Sequence, residues 1–192
     1  ETDSFVSIAA KYQGKKYNSP NDLVLDSKGN LYFTDPPYGQ PDNKTAEIGI
    51  NGVYRVKTNG DVTLLVDTLK WPNGIALSQD EKTVYINNSD PDFPVMYSYQ
   101  FDEKGKLTDG KVFFNFTEII KEKPGSPDGL KLHKSGNLFA AGPGGVTVIS
   151  PEGKLLASIN TGRPTANCAF DTEQNYLYMT AQEALMRVKL NQ

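Results

Sequence analysis

The sequence predicts an all-β chain built from the blades of a propeller, and three observations lead there. Short segments rich in β-branched and aromatic residues follow one another along the whole chain, separated by turns of Asp, Asn, Gly and Ser. No segment longer than about ten residues carries a helical apolar stripe. One turn motif also returns, as Ser19–Pro20–Asn21–Asp22–Leu23, Trp71–Pro72–Asn73–Gly74–Ile75 and Ser126–Pro127–Asp128–Gly129–Leu130. Its central residues Asn21, Asn73 and Asp128 lie 52 and 55 positions apart. Repetition at that period marks a radial array, in which each unit buries its faces only against its neighbours.

Taken in order, the first unit reads as strands Leu23–Asp26, Leu31–Thr34, Gly52–Lys57 and Val62–Asp67. The second reads as Gly74–Leu77, Val84–Asn87 and Met96–Phe101, and the third as Leu130–His133, Leu138–Ala141 and Val146–Ser150. A fourth, more worn unit opens at Arg163–Pro164–Thr165–Ala166–Asn167 and continues as Ala169–Asp171, Leu177–Thr180 and Leu185–Lys189. Tight turns such as Asp26–Ser27–Lys28–Gly29–Asn30 and Thr58–Asn59–Gly60–Asp61 join neighbouring strands. Lys104–Gly105 and Glu152–Gly153 mark further hairpins. Phe116–Lys121 is the best candidate for a helix, one or two turns long. Four strands per unit of this length describe a propeller blade, so residues 1–192 read as a single propeller domain of about four blades.

Composition narrows the function classes. Lys and Arg number 20 against 23 Asp and Glu, a net charge of −3 with no basic block, which argues against nucleic acid as a partner. Apolar residues make up 38% and no run reaches about 18, so no helix is expected to span a membrane. Cys168 is the one cysteine, so the chain forms no internal disulfide and its compartment stays open. Asn43–Lys44–Thr45 and Asn115–Phe116–Thr117 match the glycosylation triplet, a pattern too short to carry weight.

If the units stand around an axis, equivalent positions point toward it. Two amides and one carboxylate would then converge on one point, and a divalent metal is the reading that gives those groups a purpose. Oxygen donors of this kind suit hard cations such as Ca²⁺ or Mg²⁺, whereas Zn²⁺ usually draws His or Cys. The proline before each central residue fixes its own φ and restricts its neighbour, which pre-sets the turn. Asn or Asp after Pro is also an ordinary turn former, and it is the three in register that favour a site. His133, the single histidine, sits five residues past Asp128 beside Lys134 and reads as a turn residue. No Gly-x-Ser-x-Gly elbow is present and Cys168 opens an apolar strand, so covalent catalysis has no candidate.

The motifs together resemble one family: the gluconolactonase, regucalcin (senescence marker protein) and lactonase-like group of six-bladed propellers. Asn18–Leu23 with Tyr32–Phe33–Thr34–Asp35–Pro36–Pro37–Tyr38–Gly39 is similar to its bacterial gluconolactonase branch. Trp71–Ser78 and Ser126–Leu130 are similar to two metal-site turns of the family, and Tyr178–Ala181 through Leu185–Val188 to its C-terminus. The resemblance implies that this chain holds about four of six blades, starts near the end of the second, and lacks a metal-ligating Glu of the first. It implies Asn73 and Asp128 as direct ligands, and Asn21 as a third ligand or a holder of water and substrate. It also implies one divalent cation, Ca²⁺ first, with Mg²⁺ or Zn²⁺ accommodated. Ser19 stands where regucalcin-type members carry an Arg, so an Arg contact to substrate is not expected from this turn.

The implied activity is the opening of sugar lactones or sugar esters by a metal-activated water, with Asp128 as proton acceptor. Asn21, Asp35, Tyr38 and Asn167 are the expected substrate contacts, Tyr38 by stacking on a sugar ring. Gln40–Asn51 reads as a lid or rim, and Asn88–Ser89–Asp90 and Gly142–Pro143–Gly144, at equivalent strand ends, as further candidates for the pocket mouth, with a plain loop role at least as good a reading of each. Two alternatives stay open: hydrolysis of other esters or organophosphates at the same site, and a binding scaffold pinned by a structural ion.

Overall fold

The computed structural model describes residues 5–39, 46–108 and 110–190. A short hairpin, β1 (Lys11–Tyr12) with β2 (Lys15–Lys16), comes first. Three antiparallel sheets of four strands follow. The first holds β3 (Leu23–Leu25), β4 (Leu31–Asp35), β5 (Gly52–Val56) and β6 (Val62–Val66). The second holds β7 (Pro72–Leu77), β8 (Thr83–Asn88), β9 (Val95–Gln100) and β10 (Lys111–Asn115). After the helix α1 (Thr117–Glu122), the third holds β11 (Leu130–Leu132), β12 (Leu138–Gly142), β13 (Gly145–Ile149) and β14 (Leu155–Asn160). A three-stranded sheet closes the described chain: β15 (Asn167–Phe170), β16 (Tyr176–Ala181) and β17 (Ala184–Lys189). Each sheet runs in chain order from an inner strand outward, as propeller blades do, which agrees with the predicted four-blade, all-β architecture.

The core lies between sheets rather than within any one of them. Val53, Ile75, Val84 and Ile86 join the first blade to the second. Met96, Phe116, Leu130 and Leu138 join the second to the third, and Phe139, Val146, Leu177 and Met179 the third to the fourth. Complete burial of one such side chain contributes roughly 1.5–3 kcal/mol, so each blade depends on its neighbours for stability. Leu23 and Leu25 on the first blade and Leu185 on the last are more than half exposed.

β10 and β14 were not among the strands expected from sequence. Both are outermost and mostly exposed, so they lack the apolar alternation that marks a strand buried on one face. β1 and β2 are only two residues each and went unread for the same want of pattern. The helix sits one residue later than Phe116–Lys121, with Phe116 itself buried beneath it.

At the ends of the inner strands remote from the repeated motif, consecutive blades are clasped by side chains of their tight turns. Glu81 accepts from the backbone N–H and hydroxyl of Ser27, and Gln79 donates to the carbonyl of Lys134. The Lys134 N–H in turn donates to Gln174. His133 belongs to this clasp: its ring lies against Phe139 and Phe170 and bonds Ser135 and the Gln174 carbonyl. No helix among the described residues is long and apolar enough to cross a membrane.

Candidate functional site

The three recurring turns lie side by side at one end of the inner strands, linked blade to blade. Asn21 N–H donates to the Thr34 carbonyl at 2.9 Å, and the enclosed Thr34 hydroxyl donates to the Asn73 carbonyl at 2.8 Å. Gly74 N–H then donates to the Asp128 carbonyl at 3.1 Å, and Gly129 N–H to the Ala166 carbonyl at 2.9 Å. The glycines permit this approach. A Cβ on Gly74 would run into the Asp128 carbonyl oxygen, and one on Gly129 into the Asn167 amide. β7 is bulged between Pro72 and Ile75, so Asn73 and Gly74 leave the ladder with β8, and the bulge re-aims the Asn73 side chain.

Asn21, Asn73 and Asp128 all line one cavity of about 440 Å³. Tyr38 and Trp71 form part of its wall, their ring centroids 5.4 Å apart and tilted by 30°. Ser89, Pro91 and the Ser126–Pro127 step complete it. The Asn73 amide is buried and held on its nitrogen side, where Nδ2 donates to Tyr38 Oη at 3.1 Å and to Ser89 Oγ at 3.0 Å. Its carbonyl oxygen is enclosed with no hydrogen-bond partner. The nitrogen side of the amide thus faces the cavity wall, and the oxygen is shielded from the cavity.

Burial pushes the Asp128 carboxyl up to about 6; hydrogen bonding from Asn73 opposes the rise, and the charge of Asp22 adds to it. The backbone of Asp128 is fixed from two blades. Its N–H donates to the Ala141 carbonyl, and its carbonyl accepts from Gly74 and from Asn87 Nδ2 at 2.7 Å. Burial also raises the Tyr38 phenol. Among the described residues no group of three or more His, Cys, Asp or Glu stands together. The set here is two amides and a carboxylate, a mixture typical of oxygen-only cation sites.

Two expected substrate residues lie elsewhere. Asp35 is fully enclosed: its carboxylate accepts from Asn18 N–H at 2.8 Å and Ser19 N–H at 2.6 Å, and burial raises its pKa. It shapes the turn that leads to Asn21 and presents no surface to a ligand. Asn167, the fourth blade's counterpart of the motif residues, faces a separate cavity of about 390 Å³ with Asp22 and Lys131. Its Oδ1 accepts from Cys168 N–H at 2.8 Å and its amide packs on Gly129, so the close contact between the third and fourth blades turns it aside. Tyr38 does line the cavity and is 41% exposed. Cys168 is buried, its thiol pushed up to about 12 by desolvation.

The Gln40–Asn51 rim falls partly outside the described residues, as does the Asn43–Lys44–Thr45 triplet. In its described part Glu47 pairs with Lys16, Ile48 is buried, and Asn51 donates to the Lys70 carbonyl. Of the other strand-end residues, Asn88 accepts from Trp71 N–H and Asp90 pairs with Lys70 at 3.0 Å. Ser89, expected at the pocket mouth with Asn88 and Asp90, does line the cavity, as does Trp71, which had no role assigned from sequence. Trp71 belongs to the repeated motif and Ser89 to a flagged strand end, but only their packing separates them from their neighbours.

Comparison with known proteins places this geometry in context. The family model described as "SMP-30/Gluconolactonase/LRE-like region" matches residues 1–183. A gluconolactonase from Zymomonas mobilis is 38% identical over 95% of this chain and 53% of its own length. The lactonohydrolase oryL of Aspergillus oryzae is 31% identical over 95% of this chain and 47% of its own. Among solved structures, a gluconolactonase from Xanthomonas campestris superposes with a TM-score of 0.85 at 32% identity, covering 95% of this chain and 61% of that one. This chain thus spans about half the length of the curated relatives it matches.

Proposed function

The chain belongs to the SMP-30/gluconolactonase/LRE-like family, and from that premise we propose that it serves a hydrolase that opens sugar lactones with one divalent cation held by Asn21, Asn73 and Asp128. The observation that carries the reading is that Asn21, Asn73 and Asp128, from three successive blades, line a single cavity. A hard cation there would be met by the Asp128 carboxylate, and by the Asn73 oxygen once that amide turns over. Ca²⁺ suits the donors first, and Mg²⁺ or Zn²⁺ are further ions to test. Relatives named gluconolactonase and lactonohydrolase support the reaction class.

When bound, such a cation polarises the lactone carbonyl and stabilises the oxyanion that forms on it. The chain's own groups supply the rest. Water attacks the carbonyl carbon, and the Asp128 carboxylate accepts the proton it sheds. The bond from the carbonyl carbon to the ring oxygen then breaks. The ring oxygen takes up a proton and leaves as a hydroxyl, so one water is consumed per hydroxy acid formed. Tyr38 Oη accepts from Asn73 at the cavity wall, within reach of a substrate hydroxyl in the cavity. The Tyr38–Trp71 wall offers apolar surface to the C–H face of a sugar ring. A cavity of about 440 Å³ falls within the range of small-molecule sites.

The test is hydrolysis of glucono-δ-lactone, followed as acid release by the protein that carries this sequence. Activity is expected to vanish in EDTA, to return with Ca²⁺, and to be absent in Asp128→Ala. Full activity after chelation refutes the cation's role. A panel of aryl esters and organophosphates alongside decides whether lactones are the preferred class.

A further inference from the structure

We propose that Asn88 is a positioning residue that holds the Trp71 and Pro91 parts of the cavity wall as one unit, so that the wall stands ready for a sugar ring before substrate arrives. Asn88 adds to the lactone reading above, on which this role rests, a residue that stands behind the wall rather than in it.

Asn88 ends β8 opposite Pro72 and is 3% exposed. Its Oδ1 accepts from the Trp71 N–H at 3.0 Å, and its Nδ2 donates to the Phe93 carbonyl at 3.3 Å. These partners fix the direction of the amide. A backbone N–H faces one arm and a carbonyl the other, so a reversed amide would set like against like at both. The next residue completes the grip, since Ser89 N–H donates to the Trp71 carbonyl at 2.9 Å. Both backbone polar groups of Trp71 are therefore held from the end of β8. On the far side of the amide, residues 90–93 turn tightly. Phe93 N–H donates to the Asp90 carbonyl at 3.1 Å, and Asp92 N–H to the Asp90 carboxylate at 3.1 Å. Pro91 is carried in this turn and lines the cavity together with Trp71.

A second link spans the same two segments, the ion pair of Lys70 with Asp90 at 3.0 Å. Its lysine is 64% exposed, and a pair with one end in solvent holds geometry weakly. The Asn88 amide is enclosed, and its loss would leave the Trp71 N–H and the Phe93 carbonyl without their partner. Trp71 stands 5.4 Å from Tyr38 between ring centroids, so a shift of its backbone changes the surface that a sugar ring meets. Wall groups held in place before binding spare the ligand the cost of ordering them. Any effect of Asn88 on substrate must travel through Trp71 and Pro91, and Trp71 is the one tryptophan of the chain.

The experiment is steady-state hydrolysis of glucono-δ-lactone by the wild type, Asn88→Ala, Trp71→Ala and the double variant Asn88→Ala/Trp71→Ala. Melting temperatures are recorded in parallel, with acrylamide quenching of Trp71 fluorescence in substrate-free wild type and Asn88→Ala. Asn88→Ala is expected to raise KM by about three- to tenfold with kcat within about twofold of wild type, and to make Trp71 easier to quench. In the Trp71→Ala background the same change should raise KM by no more than about twofold further. A purely structural asparagine would lower the melting temperature and the active fraction, hence the apparent kcat, and leave KM unchanged. An Asn88→Ala KM within about twofold of wild type, or an undiminished penalty in the Trp71→Ala background, overturns the proposal. Should Asn88→Ala not fold, Asn88→Asp, which keeps an acceptor for the Trp71 N–H and loses the donor to Phe93, is read against the same limits. A wild type that leaves the lactone intact fails the lactone reading, a separate outcome. Asn88 is then judged on quenching, and unchanged quenching overturns its role.

Discussion

Asp128 is held where its charge is unwelcome, and Asp128→Asn should reveal by how much. Burial raises its carboxyl from 3.8 to about 6. At about 1.36 kcal/mol per pKa unit, that rise corresponds to roughly 3 kcal/mol, an upper bound because the side chain is only part-buried. The sign follows from proton binding. Between pH 4 and 6 the folded state holds the Asp128 proton more tightly than the unfolded chain does. Stability without cation therefore falls as pH rises through this window and levels off above it. Asparagine keeps the shape and carries no charge, so Asp128→Asn should be more stable than wild type at pH 7.5 in EDTA by about 1–3 kcal/mol. The two should converge near pH 4. Urea denaturation at both pH values, with chelator, measures the difference. Added calcium should reverse the order, since a ligand at about 100 times its Kd adds about 2.7 kcal/mol to the protein that binds it. If Asp128→Asn is no more stable than wild type at pH 7.5 in EDTA, the carboxylate is not strained by its surroundings and the reasoning fails.

Three further perturbations probe the frame around the cavity. Gly74→Ala places a methyl group against the backbone of the Asp128 turn; it should cost about 1–3 kcal/mol in urea denaturation and abolish lactone hydrolysis, and a stable, active variant would show that the turns need not touch. Asp35→Ala leaves the N–H groups of Asn18 and Ser19 without their acceptor, so a loss of about 2–4 kcal/mol is expected from the same assay, against near neutrality if water replaces the carboxylate. Trp71→Ala removes one ring of the cavity wall and should raise KM for glucono-δ-lactone by about tenfold with a smaller change in kcat; a pure kcat effect would assign Trp71 to the chemistry instead.

Much of this protein was legible before any coordinates. The repeated Pro–Asn/Asp turns announced the blades, and strands enclosed between two blades, such as β12 and β13, stood out because burial on both faces gives them apolar composition. The outer strands β10 and β14 did not, since they meet solvent and carry no clear pattern. The types of donor at Asn21, Asn73 and Asp128 were equally plain, because a recurring local motif carries its chemistry wherever the fold takes it.

Which equivalents share a cavity was another matter. Asn167 occupies the matching position in the fourth blade, yet packing on Gly129 turns it into a different cavity, and Asp35 is consumed by the backbone of the Asn18–Ser19 turn. The contacts of the Asn73 amide and the raised carboxyl of Asp128 likewise depend on groups far away in the chain. Local sequence determines turns, strands and donor types because those follow from a few adjacent residues. Orientation, burial and proton affinity were decided by tertiary structure, because each is set by what a neighbouring blade brings within about 3 Å.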